Sequence, residues 1–215
     1  GMAAEEKSYG QMGVVANFRC AGAHHNTAYQ WFRGDGVLAY LPLPEQRMSM
    51  VWSTPDEHAA ELLALTAAAL CARVAESGKD MLGKLELLSA PMQFPLARLR
   101  AARLAAPRIA LIGDAGHVLH PLAGQGVNLG FGDAAALARV LLRREPFRDA
   151  GDIRLLRRYE RARAEDILAL AWVTDGLQRL FAAPGGAVAK LRNAGLNLTN
   201  ALPVVKNLLI RRALG

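Results

Sequence analysis

The stretch RIALIGDAGHVLHPLAGQGVNLGFGDAAALARVLL, residues 108–142, decides the fold. It begins with a short apolar run typical of a buried strand, and it ends with a helical pattern that starts near Gly126. A turn rich in glycine lies between them. A strand, turn and helix in this order bring backbone N–H groups and the positive end of a helix dipole to one place, so we expect a polar or anionic group to bind there.

The glycine spacing differs from that of two common nucleotide-binding turns. The glycines at 124, 126, 130 and 132 follow a proline loop and do not form GxGxxG, and no Lys-Ser or Lys-Thr pair marks a P-loop. Gly130 and Gly132 fall inside the predicted helix, where each glycine costs about 1 kcal/mol relative to alanine. We therefore predict that another group packs closely against them.

Composition limits the class of protein. The chain has 215 residues and is 52% hydrophobic, which is enough for one sizeable core and part of a second domain. A net charge of +7 suits nucleic acid or an anionic membrane. The basic residues lack the interleaved aromatics of a nucleic-acid binder, so no nucleic-acid partner is predicted. Cys20 and Cys71 have no CxxC spacing, and with no secretory signal or membrane span we expect a cytoplasmic protein.

The first half of the chain predicts an antiparallel sheet covered by a helix. Four segments between about residues 10 and 53 alternate apolar and polar side chains, as half-buried strands do. Thr54 followed by Pro55, with Glu57 three residues after the threonine, predicts a capping box that opens one helix ending near Gly78. The predicted fold class is α+β.

The second half predicts a different organisation. Residues 84–96 form an extended segment broken by prolines, residues 97–107 form a linker, and a strand at 108–112 precedes the glycine turn. Helices are predicted from about Gly126 to Arg144 and from about Asp152 to Phe181. The predicted parts of the chain are therefore residues 1–106, 107–145 and 146–215.

Residues 113–138, GDAGHVLHPLAGQGVNLGFGDAAALA, closely resemble the GD motif of the flavin-dependent aromatic hydroxylases, GDAAHxxxPxxGQGxNxGxxDAxxLA. Nearly the whole chain is similar to ubiquinone-biosynthesis hydroxylases of the 2-octaprenyl-6-methoxyphenol hydroxylase type, through segments such as YGQMGVVANFRC, TAYQWFRGDGVLAYLPLP and YERARAEDILALAWVTDGLQRLF. The resemblance implies a truncated α/β flavoprotein monooxygenase fold. Residues 1–106 would be its substrate-binding sheet domain, 107–145 the last strand, loop and helix of its FAD-binding domain, and 146–215 a C-terminal helical region.

The resemblance also implies roles for particular residues. Asp114 would accept hydrogen bonds from the ribityl hydroxyls of FAD, although a carboxylate that caps its own loop remains an alternative. The implied flavin-contacting set is Gly113, Asp114, Pro121, Gly124, Gln125, Gly126, Val127 and Asn128. Pro121 would lie against the isoalloxazine ring, while Asn128 is equally suited to cap the helix. Tyr40, Met50 and Trp52, or their neighbours of opposite parity, would line the substrate pocket, with ordinary core packing as the alternative.

No catalytic side chain and no metal ligand is predicted. His117 and His120 are interpreted as loop residues near the flavin, since no Cys or carboxylate cluster accompanies them. Asp133 is expected to make a structural hydrogen bond. Phe131 and Gly132 stand where related enzymes often carry leucine and arginine, so a charge that ties this helix to its neighbours is missing.

The implied reaction is hydroxylation of a polyprenylated phenol or quinol by FAD, with a reduced pyridine nucleotide or another electron donor. The family's GxGxxG segment is not in this chain, so we expect it to fold but to bind FAD weakly and to be inactive alone. The Arg-rich run and the apolar stretch at residues 202–210 suggest docking at an anionic membrane surface, such as the inner membrane, or at a ubiquinone-biosynthesis complex. A non-catalytic quinone- or partner-binding module and an aromatic hydroxylase of another pathway remain alternatives.

Overall fold

The computed structural model describes residues 2–120, 124 and 126–182. Contacts divide these residues into two compact groups, which we call the sheet unit (residues 8–96) and the motif unit (residues 2–7 and the described residues from 97 onward). The strands are β1 Ala4–Cys20, β2 Tyr29–Arg33, β3 Gly36–Leu43, β4 Arg47–Pro55, β5 Leu85–Leu87, β6 Met92–Ala101, β7 Ala105–Ala106, β8 Ile109–Ala110 and β9 His117–Val118. The helices are α1 Asp56–Ala64, α2 Ala67–Ser77, α3 Gly126–Leu142 and α4 Ile153–Ala182.

The sheet unit has the antiparallel pairing that the alternating pattern predicts. β2 pairs with β3, β3 with β4, β4 with β1, and β1 with β5, all antiparallel. The register places Val14 opposite Trp52 and Ala16 opposite Met50, and all four side chains are buried. Because side chains alternate along a strand, this register aligns one apolar face across neighbouring strands.

That apolar face forms the core of the sheet unit together with α1 and α2. Leu62 of α1 and Leu70 and Val74 of α2 are buried in the same cluster as the sheet residues. The Tyr40 hydroxyl donates to the Val74 carbonyl, and burial raises the pKa of Tyr40. Gly78 ends α2 under this ring, where a Cβ would lie 2.2 Å from the Tyr40 hydroxyl oxygen, so only glycine fits.

The prediction of one helix from Pro55 to Ser77, capped by Thr54, is wrong. The Thr54 hydroxyl donates to the Asp35 carbonyl at 2.7 Å, and α1 begins without a side-chain cap. The chain leaves helical geometry at Leu65, and Thr66 then caps α2 by accepting from the Ala69 N–H at 3.3 Å. A second capping residue, which the apolar pattern conceals, divides the segment into two helices.

The motif unit contains short strand pairs and two long helices. β6 and β9 pair antiparallel, and so do β7 and β8. The predicted linker is wrong for residues 97–101, which continue β6. The predicted strand at 108–112 is reduced to Ile109–Ala110, because the rest of it has no strand partner among the described residues.

Helices α3 and α4 agree with the predicted ends to within two residues. They enclose a small apolar cluster formed by Leu104, Leu129, Ala136, Tyr159 and Ile167. The boundary between the compact units lies at residues 96 and 97, and residues 2–7 belong with the motif unit. The predicted division into a substrate-binding part at 1–106 and an FAD-binding part at 107–145 stays a prediction. The predicted tail beyond residue 182 lies outside the described residues.

Candidate functional site

The turn that follows β8 lies directly against helix α3. Gly113 has a φ of +56°, a conformation that glycine adopts without strain, and it opens a short 3₁₀ turn that ends at Ala115. A Cβ on Gly130 of α3 would lie 3.4 Å from the Gly113 Cα. The expected close approach at Gly130 is therefore made by the chain's own turn.

Asp114 follows Gly113 and points its carboxylate to the outside of the turn. The residue is exposed, and it makes no hydrogen bond or ion pair with any residue that the structure describes. The alternative in which this carboxylate caps its own loop is not seen within that part of the chain. As far as the described residues are concerned, both carboxylate oxygens are available to accept hydrogen bonds from a ligand hydroxyl.

The beginning of α3 is open beside this carboxylate-bearing turn. Gly124 has a φ of +60°, and a Cβ built on Gly124 or Gly126 would meet no atom within 4 Å. Val127 is 69% exposed, and Asn128 is exposed as well. Pro121 and Gln125 of the predicted flavin set lie outside the described residues.

These features fit the part of FAD that the resemblance assigns here. An exposed carboxylate suits the ribityl hydroxyls, and an open helix N-terminus without side chains at Gly124 and Gly126 lets a flat ring edge approach backbone N–H groups. The choice between cap and flavin contact for Asn128 stays open.

Asp133 of α3 is the centre of a buried polar cluster. The residue has no exposed surface. One carboxylate oxygen, Oδ2, accepts from the Gly113 N–H at 2.9 Å and from His117 Nε2 at 2.7 Å, while Oδ1 accepts from Arg163 Nε at 2.7 Å. The Gly113 N–H and the Arg163 guanidinium can only donate, so Asp133 acts as the acceptor, and we assign to His117 the tautomer in which Nε2 donates. The predicted structural hydrogen bond of Asp133 is confirmed.

His117 is not a loop residue, as the sequence suggested. It belongs to β9 and is 3% exposed, because its ring turns inward to Asp133. His120 is 4% exposed and lies just beyond β9. Neither imidazole is thus presented on the surface of the turn. Among the described residues, no group of three or more His, Cys, Asp or Glu side chains is arranged to hold a metal ion.

Sequence reasoning missed Arg163. Its guanidinium is buried, donates through Nη2 to the Leu129 carbonyl at 3.3 Å, and pairs with Asp166. A Cβ on Gly132 would lie 2.9 Å from Arg163 Nη2. The charge expected to be missing at Gly132 is therefore supplied by α4 across the space that the glycine leaves. The available signal was a glycine, Gly132, next to an aspartate inside a helix. Nothing in the sequence identified Arg163, 31 positions after that glycine, as the side chain that fills the space.

Helix α4 also holds the segment that leads into the turn. The Tyr159 hydroxyl donates to the Leu111 carbonyl at 2.7 Å, and Glu160 Oε1 accepts from the Leu104 N–H at 2.7 Å. Desolvation raises the pKa of Tyr159, so its hydroxyl stays protonated and available as a donor. Both ends of the segment that precedes Gly113 are thus fixed by one helix.

The three residues that the sequence suggested as lining of the substrate pocket lie in the hydrophobic core instead. Tyr40, Met50 and Trp52 are at most 2% exposed and belong to the core under α1 and α2. Core packing, the alternative left open by the sequence, is the role that the structure shows for them. Their neighbours of opposite parity, such as Ala39 and Val51, lie half-buried on the other face of the sheet.

Comparison with known proteins agrees with the resemblance. Human ubiquinone biosynthesis monooxygenase COQ6, mitochondrial, is 35% identical over 234 aligned residues, which cover 93% of this chain and 50% of that protein. The 3-demethoxyubiquinol 3-hydroxylase of Escherichia coli is 33% identical, with 96% of this chain and 53% of that protein covered. The chain spans about half the length of the curated relatives that it matches.

A solved structure shows the same fold. The crystal structure of pqsL, a probable FAD-dependent monooxygenase from Pseudomonas aeruginosa, is similar with a TM-score of 0.64 and 30% identity over 83% of this chain and 50% of that one. The predicted α+β monooxygenase fold is therefore confirmed. Residues 2–171 match the family model described as FAD binding domain, so the chain belongs to the FAD binding domain family.

Proposed function

We propose that this chain provides the flavin-contacting and substrate-facing part of an FAD-dependent monooxygenase that hydroxylates the aromatic ring of a ubiquinone precursor. The observation that carries the proposal is the exposed carboxylate of Asp114, in a turn that packs against Gly130 of α3, one helical turn after the open start of that helix at Gly126. The relatives named for ubiquinone biosynthesis support the substrate class.

FAD, when bound and reduced by a pyridine nucleotide or another donor, activates dioxygen so that one oxygen atom enters the ring C–H bond and the other leaves as water. The chain's own residues bind and orient. The Asp114 carboxylate accepts hydrogen bonds from ribityl hydroxyls, and the backbone at Gly124 and Gly126 approaches the ring edge. Gly113, Pro121, Gln125, Val127 and Asn128 complete the proposed contact set.

The substrate is proposed to be a polyprenylated phenol or quinol. The sheet face opposite α1 and α2 offers it a partly apolar surface, with half-buried Ala39 and Val51 and the 42% exposed Leu41. Apolar side chains of this kind suit a ring that carries a prenyl tail, because both are removed from water together.

Isothermal titration with FAD tests the cofactor site. The 215-residue chain is expected to bind FAD weakly or not at all, whereas a protein in which a family GxGxxG segment precedes it binds tightly, since that segment contacts the diphosphate. Asp114→Ala in the tight binder should weaken affinity at least about tenfold. Asp149→Ala replaces another exposed acid of the motif unit and should leave affinity unchanged. Equal affinity of the Asp114 variant and the parent would refute the proposed site.

A turnover assay tests the substrate class. The FAD-loaded protein, supplied with a reduced pyridine nucleotide and a prenylated phenol, should yield a product with one added oxygen atom by mass spectrometry. Turnover only of aromatics without a prenyl chain would instead indicate a hydroxylase of another pathway. Tight quinone binding without turnover by any donor would indicate a non-catalytic module.

The apolar substrate motivates a proposal about location. We infer that the protein docks at an anionic membrane surface, through the exposed Arg154 and Arg157 of α4 together with residues 202–210, which lie outside the described residues. The described residues contain no helix that is long and apolar enough to cross a bilayer. Flotation with vesicles containing acidic lipids should carry the protein upward, and failure to float with them would contradict this docking.

A further inference from the structure

The flavin contacts proposed above do not use the buried cluster of Asp133, His117 and Arg163. We propose that Arg163 is a positioning residue: through Asp133 it fixes the Gly113–Asp114 turn in the orientation that presents Asp114 to the cofactor. The inference rests on the proposed function in one respect, namely that Asp114 contacts the ribityl hydroxyls of FAD.

The link from Asp133 to the turn is direct. Asp133 Oδ2 accepts from the Gly113 N–H at 2.9 Å, and Gly113 precedes Asp114 in the chain. Rotation of the Asp133 carboxylate would release this N–H, and Gly113, which has no Cβ, could then leave its φ of +56° for other turn conformations without strain. The direction of the Asp114 side chain therefore depends on the orientation of Asp133.

Arg163 determines that orientation. Its Nε donates to Asp133 Oδ1 at 2.7 Å while its Nη2 donates to the Leu129 carbonyl at 3.3 Å, so one rigid guanidinium joins the carboxylate to the backbone of the same helix. It is also the positive charge that stabilises a carboxylate with no exposed surface. Removal of the guanidinium leaves that carboxylate buried without a counter-charge.

The absence of a side chain at Gly132 leaves space for the Arg163 guanidinium to bind Asp133. A Cβ at this position would lie 2.9 Å from Nη2, 3.2 Å from Cζ and 3.4 Å from Nη1. Three contacts from one methyl group would displace the guanidinium rather than the helix, because the far end of an arginine moves more easily than the backbone. Gly132→Ala is thus a mild way to shift Arg163 without deleting its charge.

The first experiment measures, by isothermal titration, the FAD affinity of the protein in which a family GxGxxG segment precedes this chain. Arg163→Gln should weaken binding at least about tenfold, and Arg163→Lys, which keeps the charge but not the fork, should weaken it less. Arg161→Gln is the matched control, since Arg161 lies exposed on the same helix, and it should bind FAD as the parent does. If Arg163→Gln, measured below its melting temperature, binds FAD as tightly as the parent does, the proposal is wrong.

A double-mutant cycle separates positioning from a general loss of stability. If Arg163 acts through the Asp114 turn, Arg163→Gln should cost little further affinity in a protein that already carries Asp114→Ala. The circular dichroism of the bound flavin should also change in Arg163→Gln and not in Arg161→Gln. Fully additive losses in the cycle would contradict the proposed route.

Hydrogen exchange tests the geometry without any cofactor. The Gly113 N–H should exchange faster in Arg163→Gln and in Gly132→Ala than in the parent. Gly176→Ala is the control for helix propensity, because a Cβ there meets nothing within 4 Å, and it should leave Gly113 unchanged. If Asp114→Ala does not affect FAD binding, the proposed function is wrong. The exchange rate of the Gly113 N–H still tests whether Arg163 holds the turn in place. Slow exchange at Gly113 in both the Arg163 and the Gly132 variants would overturn it.

Discussion

The sheet unit and the motif unit fix their architecture by different means. In the sheet unit, Trp52, Met50 and Phe18 are fully buried, and apolar contact with two helices holds the strands. In the motif unit the apolar cluster is small, and the central contact is the buried pair of Asp133 and Arg163.

This difference fits the role that we propose for each region. Apolar packing is non-directional and tolerates adjustment, whereas charged hydrogen bonds fix angles. The sheet is proposed to provide a surface, which needs the first property, and the turn is proposed to aim one carboxylate, which needs the second. The two units should therefore respond to mutation by different physics, and the following predictions test that contrast.

The largest effect is expected at the buried pair. Asp133→Ala removes the buried counter-charge of Arg163, which keeps only the exposed Asp166, and it removes the acceptor of Gly113 and His117. It should therefore lower the free energy of unfolding by about 3–5 kcal/mol. Urea denaturation followed by circular dichroism measures this loss. Asp149→Ala breaks the Arg108–Asp149 pair, whose side chains are 75% and 58% exposed, and should cost far less stability than Asp133→Ala. Similar losses in both variants would remove the contrast.

A somewhat smaller effect is expected in the apolar core. Met50→Ala deletes a side chain with no exposure and should lower the free energy of unfolding by about 2–4 kcal/mol through lost burial and a cavity. Tryptophan fluorescence during denaturation reports the change, since Trp31 and Trp52 belong to this unit. Met92→Ala makes the same substitution at a 58% exposed position and should stay within about 0.5 kcal/mol of the parent. A large loss at Met92 would show that the exposed face also carries packing energy.

The same contrast explains what the sequence predicted. Strand periodicity identified the buried faces of β1 and β4, because alternation reports directly which side chains meet the core. Local pattern also located α3 and α4 and, with the family resemblance, the Gly113–Asp114 turn. The alternation of apolar residues did not reveal that Tyr40, Met50 and Trp52 face the helices, since a core and a ligand pocket are equally apolar.

What the sequence did not reveal depends on contacts between distant residues. Thr54 binds Asp35 across a turn instead of capping α1, and Arg163 reaches Asp133 from another helix. Neither partner follows from spacing along one element. The strand at 108–112 was overestimated for a related reason, because strand length depends on a pairing partner as well as on apolar residues.

The smallest effect is expected at a partly exposed ion-pair cluster of the motif unit, where Glu145 pairs with Arg158 and Arg148. Hydrogen bonds from the Arg158 side chain, then from backbone, then from Arg148 lower the pKa of Glu145 from the ordinary 4.5 to about 2. A lowered pKa in the folded state means that the pair stabilises the fold above pH 4.5 and that this contribution is lost as the pH falls toward 2.

Glu145→Gln should therefore be less stable than the parent at pH 7, and the difference should shrink steadily between pH 4.5 and pH 2. Urea midpoints of both proteins across this range measure the change. High salt should reduce the difference at pH 7, because solvent screens an exposed pair, whereas the loss in Asp133→Ala should persist in salt since water does not reach that pair. A difference that grows as the pH falls would reverse the sign and contradict the assigned pairing.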